Sequence, residues 1–223
     1  MEKRLALLST GVGVVEPIAA LVRTGDPQIE IINIVDDSIV RTIGRNHNTV
    51  PAAIVRRIAV YCRHAEEAGA AAVLVTCSSI SETIDAARPM VSIPVFKIDE
   101  PMAEHAVATA RTTIGVVATL ETTLQPTTRL IQTKILASGK GITLRPILAE
   151  GAFNALQEGR PDVHDEVVLA AIRSLLATCD VVVLAQASMA RAAAGLPPDA
   201  AARVLTSPSL GVARALAHFA DRA

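Results

Sequence analysis

The run VLVTCSSIS (residues 73–81) is an apolar, β-branched stretch that delivers a cysteine into a row of hydroxyls, and VVVLAQASMA (residues 181–190) looks like a second copy of it. Matching Leu74 to Leu184 and Ser78 to Ser188 puts Cys77 on Ala187, an offset of 110 residues. Two further pairs keep nearly that interval. RLALLST (4–10) resembles TIGVVAT (113–119), with Thr10 on Thr119, and PVFKIDEP (94–101) loosely resembles ARVLTSP (202–208), with Pro101 on Pro208. An interval this constant over three separated segments reads as a duplication, two similar lobes built on one plan.

Around these anchors the chain alternates short β-branched runs with segments of helical period. Strands are expected at 4–8, 29–35, 71–76, 94–98, 113–118, 142–148, 181–185 and 203–206. Between them Ile54, Ile58, Tyr61, Ala65 and Ala68 recur at helical spacing, as do Val168, Leu169, Ile172, Leu175 and Leu176, with Pro161 and Asp162 as a start signal. Strands alternating with helices imply an α/β fold, two lobes with parallel sheets related by a pseudo-twofold axis. Ligands in such sheets bind beyond the carboxyl ends of the strands. If the lobes face each other across a cleft, Ser9, Thr10, Cys77, Ser78 and Ser79 confront Thr119, Thr122, Ala187 and Ser188. A wall of hydroxyls and backbone amides suits a carboxylate.

Composition narrows the function. The 223 residues are 51% hydrophobic, yet hold no Trp, one Tyr and three Phe, so the core is Ala, Val, Leu and Ile, as in a buried parallel sheet. A net charge of −1 and few rings give no basic stripe for phosphates and little to stack bases, so no nucleic-acid partner is expected. No stretch approaches the ~20 apolar residues of a membrane span, and the first residues lack a signal peptide's pattern. Three scattered cysteines without metal-ligand spacing suit a reducing cytoplasm. Cys62 and Cys179 read as core residues.

Other motifs carry less. STGVGVVE (9–16) begins a dinucleotide fingerprint, but the third glycine is Glu16, followed by Pro17, which compromises close packing and repels phosphate. Asp36 and Asp37 read as a turn and helix start, although one could orient the thiol or a substrate amine. DVHDE (162–166) spreads its side chains around a helix, so His164 reads as an exposed first-turn residue rather than a metal ligand. His105 reads as structural, and His47, in the polar stretch GRNHNTVP (44–51), as part of a loop able to cover the cleft. Thr122 and Thr123 cap a helix, where an anion also lands.

The hydroxyl-ended first strand, VTCSS, VVATLETT, VVVLAQASM and EGAFNALQEGRPDVHDEVV (150–168) together resemble the aspartate/glutamate racemase superfamily, which includes hydantoin racemase, maleate isomerase and arylmalonate decarboxylase. The resemblance covers essentially the whole chain. It implies a first lobe of residues 1–98 plus 206–223, a second of 99–205, a final helix (207–222) returning to the first, and a homo-oligomer. It also implies cofactor-independent chemistry, with no metal, at the carbon next to the carboxylate of a small amino or hydroxy acid. Cys77 is then the acid/base or nucleophile, its thiolate favoured by the following helix start. Ser9, Thr10, Ser78, Ser79, Thr119, Thr122, Gln186 and Ser188 are then the substrate-binding set.

A racemase of this type uses two thiols, one on each face of the carbon. This sequence departs there, because the matching position holds Ala187 and neighbouring Gln186 cannot ionise. Several accounts stay open at this point. A single thiol protonates an enediolate after decarboxylation of a malonate-type acid, or adds to a double bond and permits rotation. Alternatively Ala187 replaces a native cysteine, or the chain is a non-catalytic carboxylate-binding module.

Overall fold

In the computed structural model, which describes residues 3–220, the eight apolar runs become eight strands in two four-stranded sheets, every pairing parallel. The chain divides into two compact units. One comprises the residues up to Pro101 together with those from Pro208 onward, and the other Met102–Ser207.

The first unit runs β1 (Arg4–Ser9), α1 (Val15–Gly25), β2 (Glu30–Val35), α2 (Ser38–Arg45), α3 (Ala52–Glu67), β3 (Ala72–Val75), α4 (Ile84–Ala87) and β4 (Val95–Lys97). Its sheet order is β2-β1-β3-β4. After α5 (Glu100–Thr109), the second unit runs β5 (Thr113–Ala118), α6 (Glu121–Ser138), β6 (Thr143–Leu148), α7 (Ala152–Gln157), α8 (Pro161–Leu176), β7 (Val181–Leu184), α9 (Ala190–Ala193), α10 (Pro198–Ala201) and β8 (Val204–Thr206). Its order, β6-β5-β7-β8, repeats the first with every number raised by four. The last helix, α11 (Ser207–Ala220), falls almost wholly in the first unit. Positions 221 and 222 of the expected helix lie outside the described residues.

The central strands read as continuous apolar runs because both of their faces are covered. Successive side chains on β1 and β3 point to opposite faces. Ala6, Leu8, Val73 and Val75 join Ile39, Ile43, Ile54 and Ile58 of α2 and α3. Leu5, Leu7, Ala72 and Leu74 join α1 and α11 through Ile18, Val22, Val212 and Phe219. In the second unit Val117, Val182 and Leu184 pack on Val168, Ile172 and Leu175 of α8. Close helix–strand approach leaves no room for a side chain at Gly115, where a Cβ would sit 2.9 Å from Leu175 Cδ1.

Two expectations change. The buried stripe of α3 runs Ile54, Ile58, Cys62 and Ala65, while Ala68 ends the helix exposed. His164 is not an exposed first-turn residue but fully buried. It stands four residues before Val168, on the stripe that continues through Ile172 and Leu175, so helical phase carries it inward. Its Nδ1 pairs with Asp165 at 2.8 Å. Cys62 and Cys179 are buried as expected.

Candidate active site

In an open parallel sheet, the crevice for a ligand lies beyond the strand ends where the order reverses direction. In the first unit that point falls between β1 and β3, whose neighbours lie on opposite sides. The residues delivered there are Ser9 and Thr10 after β1, and Thr76 and Cys77 after β3. The Ser9 and Thr76 hydroxyls bond each other at 2.9 Å, and Thr76 N–H donates to the Leu8 carbonyl at 3.0 Å, which fixes the two ends side by side. Cys77 precedes a 3-10 segment, Ser78–Thr83, most of whose side chains are buried. The Thr10 hydroxyl and both the N–H and the hydroxyl of Ser79 bond the sulfur.

The thiol differs from its expected state. Cys77 keeps some exposed surface, but the surroundings of its sulfur are closed. Burial pushes the thiol above its ordinary range, bonds from Thr10 and Ser79 pull it back only in part, and the Asp99 carboxyl adds to the rise. A short 3-10 turn brings few aligned peptide dipoles to bear, so the lowering expected from a helix start does not win. Burial likewise pushes Cys62 up, to about 11.

Asp99 was not among the residues singled out from sequence. It follows β4, is fully buried, and accepts a hydrogen bond from the Ser81 hydroxyl at 2.9 Å on Oδ1, while Oδ2 has no hydrogen-bond partner. Burial pushes its carboxyl up against the opposing pull of Ser81, Ser78 and Lys97. Its one sequence signal was position: KIDEP ends a strand of the sheet that carries Cys77.

The second unit repeats the device with different chemistry. Leu8 pairs with Val75 in the first sheet and Val117 with Leu184 in the second. These registers relate the units by 109 residues, as do Thr10 and Thr119. The interval places Gln186, not Ala187, at the position Cys77 holds. Both residues precede a 3-10 turn in extended conformation, with φ −127° and −132°. The polar contacts agree: where Thr10 bonds the Cys77 sulfur, Thr119 donates to Gln186 Oε1 through its N–H at 2.6 Å and its hydroxyl at 2.9 Å. Ala187 instead matches Ser78, and Ser188 matches Ser79. The sequence offset of 110 came from aligning similar apolar letters, which hydrogen-bonded register corrects.

Thr122, in the first turn of α6, has a buried hydroxyl without a partner, and no side chain caps that helix. Ser188 is exposed. Asp36 turns to Ser38, Arg57 and Tyr61 rather than to the thiol; against burial, those partners hold its carboxyl low. Asp37 pairs with Arg41, Glu16 pairs with Arg23 on α1, and His47 and His105 are exposed. Among the described residues no group of three or more His, Cys, Asp or Glu is placed to hold a metal, and no helix is long and apolar enough to cross a membrane.

The fold is shared with solved racemases. Glutamate racemase from Francisella tularensis in complex with D-glutamate matches with TM-score 0.74 and 16% identity over 100% of this chain and 82% of that one. Allantoin racemase from Klebsiella pneumoniae matches at 0.68 and 20%, over 97% and 87%. Aspartate racemase from Picrophilus torridus matches at 0.71 and 11%, over 97% and 94%. No curated protein matches the chain in sequence. The sequence model of the Asp/Glu/Hydantoin racemase family matches residues 8–215, nearly the whole chain, and the chain belongs to that family.

Proposed function

We propose that the chain is a cofactor-independent enzyme that moves a proton at the carbon next to the carboxylate of a small amino or hydroxy acid, with Cys77 as its acid/base or nucleophile. The observation that carries this reading is the seat of Cys77, at the switch point of its sheet with the Thr10 and Ser79 donors on its sulfur. A C–H beside a carboxylate is a very weak acid, so the enediolate needs aimed donors as well as a proton carrier. Ser9, Thr10, Ser78 and Ser79, all of the first unit, are the donors assigned to that work. Membership of the racemase family supports the same class of chemistry.

Gln186 at the position matching Cys77 argues against inversion by two thiols, since a carboxamide neither gains nor loses a proton at neutral pH and cannot serve as the second acid/base. It favours a second reading, decarboxylation of a malonate-type acid. The bond to the departing carboxylate breaks, carbon dioxide leaves, and the electron pair remains as an enediolate. That carbon then takes one proton from Cys77. A thiol held protonated by its surroundings suits this step.

Incubating D- and L-amino acids, hydroxy acids and 2-substituted malonates in deuterated water separates the readings. Deuterium uptake at the α-carbon without gas supports isomerase chemistry, and carbon dioxide with one deuterium retained supports the lyase. Thermal stabilisation by a carboxylate with neither reaction identifies a binding module. Cys77→Ala is expected to cut turnover about 10²–10⁴-fold; unchanged turnover removes the residue from both mechanisms. Gln186→Cys, which supplies a second thiol, is expected to introduce or accelerate racemisation, and its failure to do so would count against the matched positions.

A further inference from the structure

The segment that follows Cys77 is fastened at two points by residues at the end of β4. Ser81, buried, donates its hydroxyl to Oδ1 of Asp99 at 2.9 Å, and Asp99 has no exposed surface. Four residues further on, Asp85 of α4 meets the Nζ of the buried Lys97 at 2.7 Å. Register explains why these groups meet. Val75 pairs with Lys97, and the Ile98 N–H donates to the Val75 carbonyl at 3.0 Å, so the chain leaving β4 runs beside the chain leaving β3.

The second unit is an internal control. Val75 with Lys97 in the first sheet answers to Leu184 with Thr206 in the second, again an interval of 109 residues. That interval puts Ala190 where Ser81 stands, Pro208 where Asp99 stands, and Ala194 where Asp85 stands. Alanine has no polar side-chain atom, so neither fastening can form there. The 3-10 turn of the second copy is correspondingly short, Ala187–Met189, with Ser188 exposed. In the first copy it runs Ser78–Thr83, with Ser78 and Ser79 both buried. One topology is thus built with and without the fastening, and the copy that has it is the copy that carries the thiol.

We propose that Asp99 is a positioning residue for the donor turn: its Oδ1 holds Ser81, and through Ser81 it keeps Ser78 and Ser79 in place beyond the end of β3. This rests on the reading of those two serines as donors to substrate, and adds what holds them there. Donors fixed in advance need no reorganisation as charge develops. The turn requires an oxygen acceptor at position 99 rather than a charge, because a hydroxyl also donates to a carboxamide oxygen.

The test is amide hydrogen exchange in the folded, full-length protein, read peptide by peptide by mass spectrometry. Asp99→Leu, close in size and without an acceptor, is expected to speed exchange in residues 78–83 about tenfold, while β1, β3 and the second unit keep their rates. Ser81→Ala, which removes only a hydroxyl, carries the same expectation should leucine fail to fold. Asp99→Asn retains the acceptor and is expected to stay within about threefold of the parent. Unchanged exchange in residues 78–83 overturns the proposal, as does equal acceleration in both units, and so does an asparagine variant as fast as the leucine one. On a substrate found in deuterated water, Ser81→Ala is expected to lower kcat about tenfold with KM within about threefold, and a loss confined to KM overturns the placement. Exchange is read without substrate, so an active Cys77→Ala variant, which removes the enzymatic reading, is a separate result from failure of this one.

Discussion

A thiol that keeps its proton at neutral pH is present there as an acid and only rarely as the thiolate base, and this fixes the sign of the pH dependence. Burial and Asp99 raise Cys77 above the ordinary thiol range. Activity carried by the protonated form is therefore fully present at neutral pH and falls on the alkaline side, through a midpoint above the ordinary value. A rate that instead climbs with pH through that midpoint would make Cys77 a base; a pH–kcat profile from 6 to 11 decides. At this scale the sequence showed Cys77, through its strand end and its row of hydroxyls, but not Asp99 or the burial of His164. A lone acid between a strand and a helix has the same letters whether it faces water or the underside of a neighbouring turn. For His164 the phase of the Val168–Ile172–Leu175 stripe was already legible, and extending it back one turn would have placed the ring inside.

Strands and helices were more legible than single residues, because each central strand is covered on both faces and so writes itself as an unbroken apolar run. All eight strands fall where those runs lie. What apolar letters cannot record is register. Leu74 and Val75 are equivalent to the eye, and choosing between them moved the counterpart of Cys77 from Gln186 to Ala187. Packing of elements supplies its own prediction. On α11, a Cβ at Gly211 would sit 2.5 Å from the Ile98 carbonyl oxygen and 2.7 Å from its Cα, both backbone atoms that cannot swing aside. Gly211→Ala is expected to destabilise the protein by about 1–3 kcal/mol despite the better helix propensity of alanine, measured by urea unfolding. A neutral or stabilising result would mean that the helix shifts freely over the end of β4.

For the molecule as a whole, the repeat is a repeat of topology rather than of chemistry. One plan, β2-β1-β3-β4, is built twice. The first copy ends in Ser9, Thr76 and Cys77, and the second in Ala118, Ala185 and Gln186. The composition, with almost no aromatic residues, is legible as this doubled sheet architecture, whereas the chemical asymmetry emerges only when the copies are aligned by hydrogen bonds. The copies also differ in how they are closed, since α11 joins the first unit from the far end of the chain. Deleting residues from Pro208 onward uncovers Leu5, Leu7 and Leu74, which pack with Val212, Ala215 and Phe219. The truncated protein is expected to bind a hydrophobic dye and lose most of its soluble yield; retention of a cooperative melt at the original temperature would refute that role for the helix.

The same arrangement has a consequence in time. A ribosome makes the first sheet, then every residue of Met102–Ser207, before it reaches the helix that seals one side of that sheet. At about 5–20 residues per second, the part of that face that α1 does not cover stays bare for roughly 5–20 s of translation. A nascent chain of this design is a natural client for a holdase chaperone during that interval.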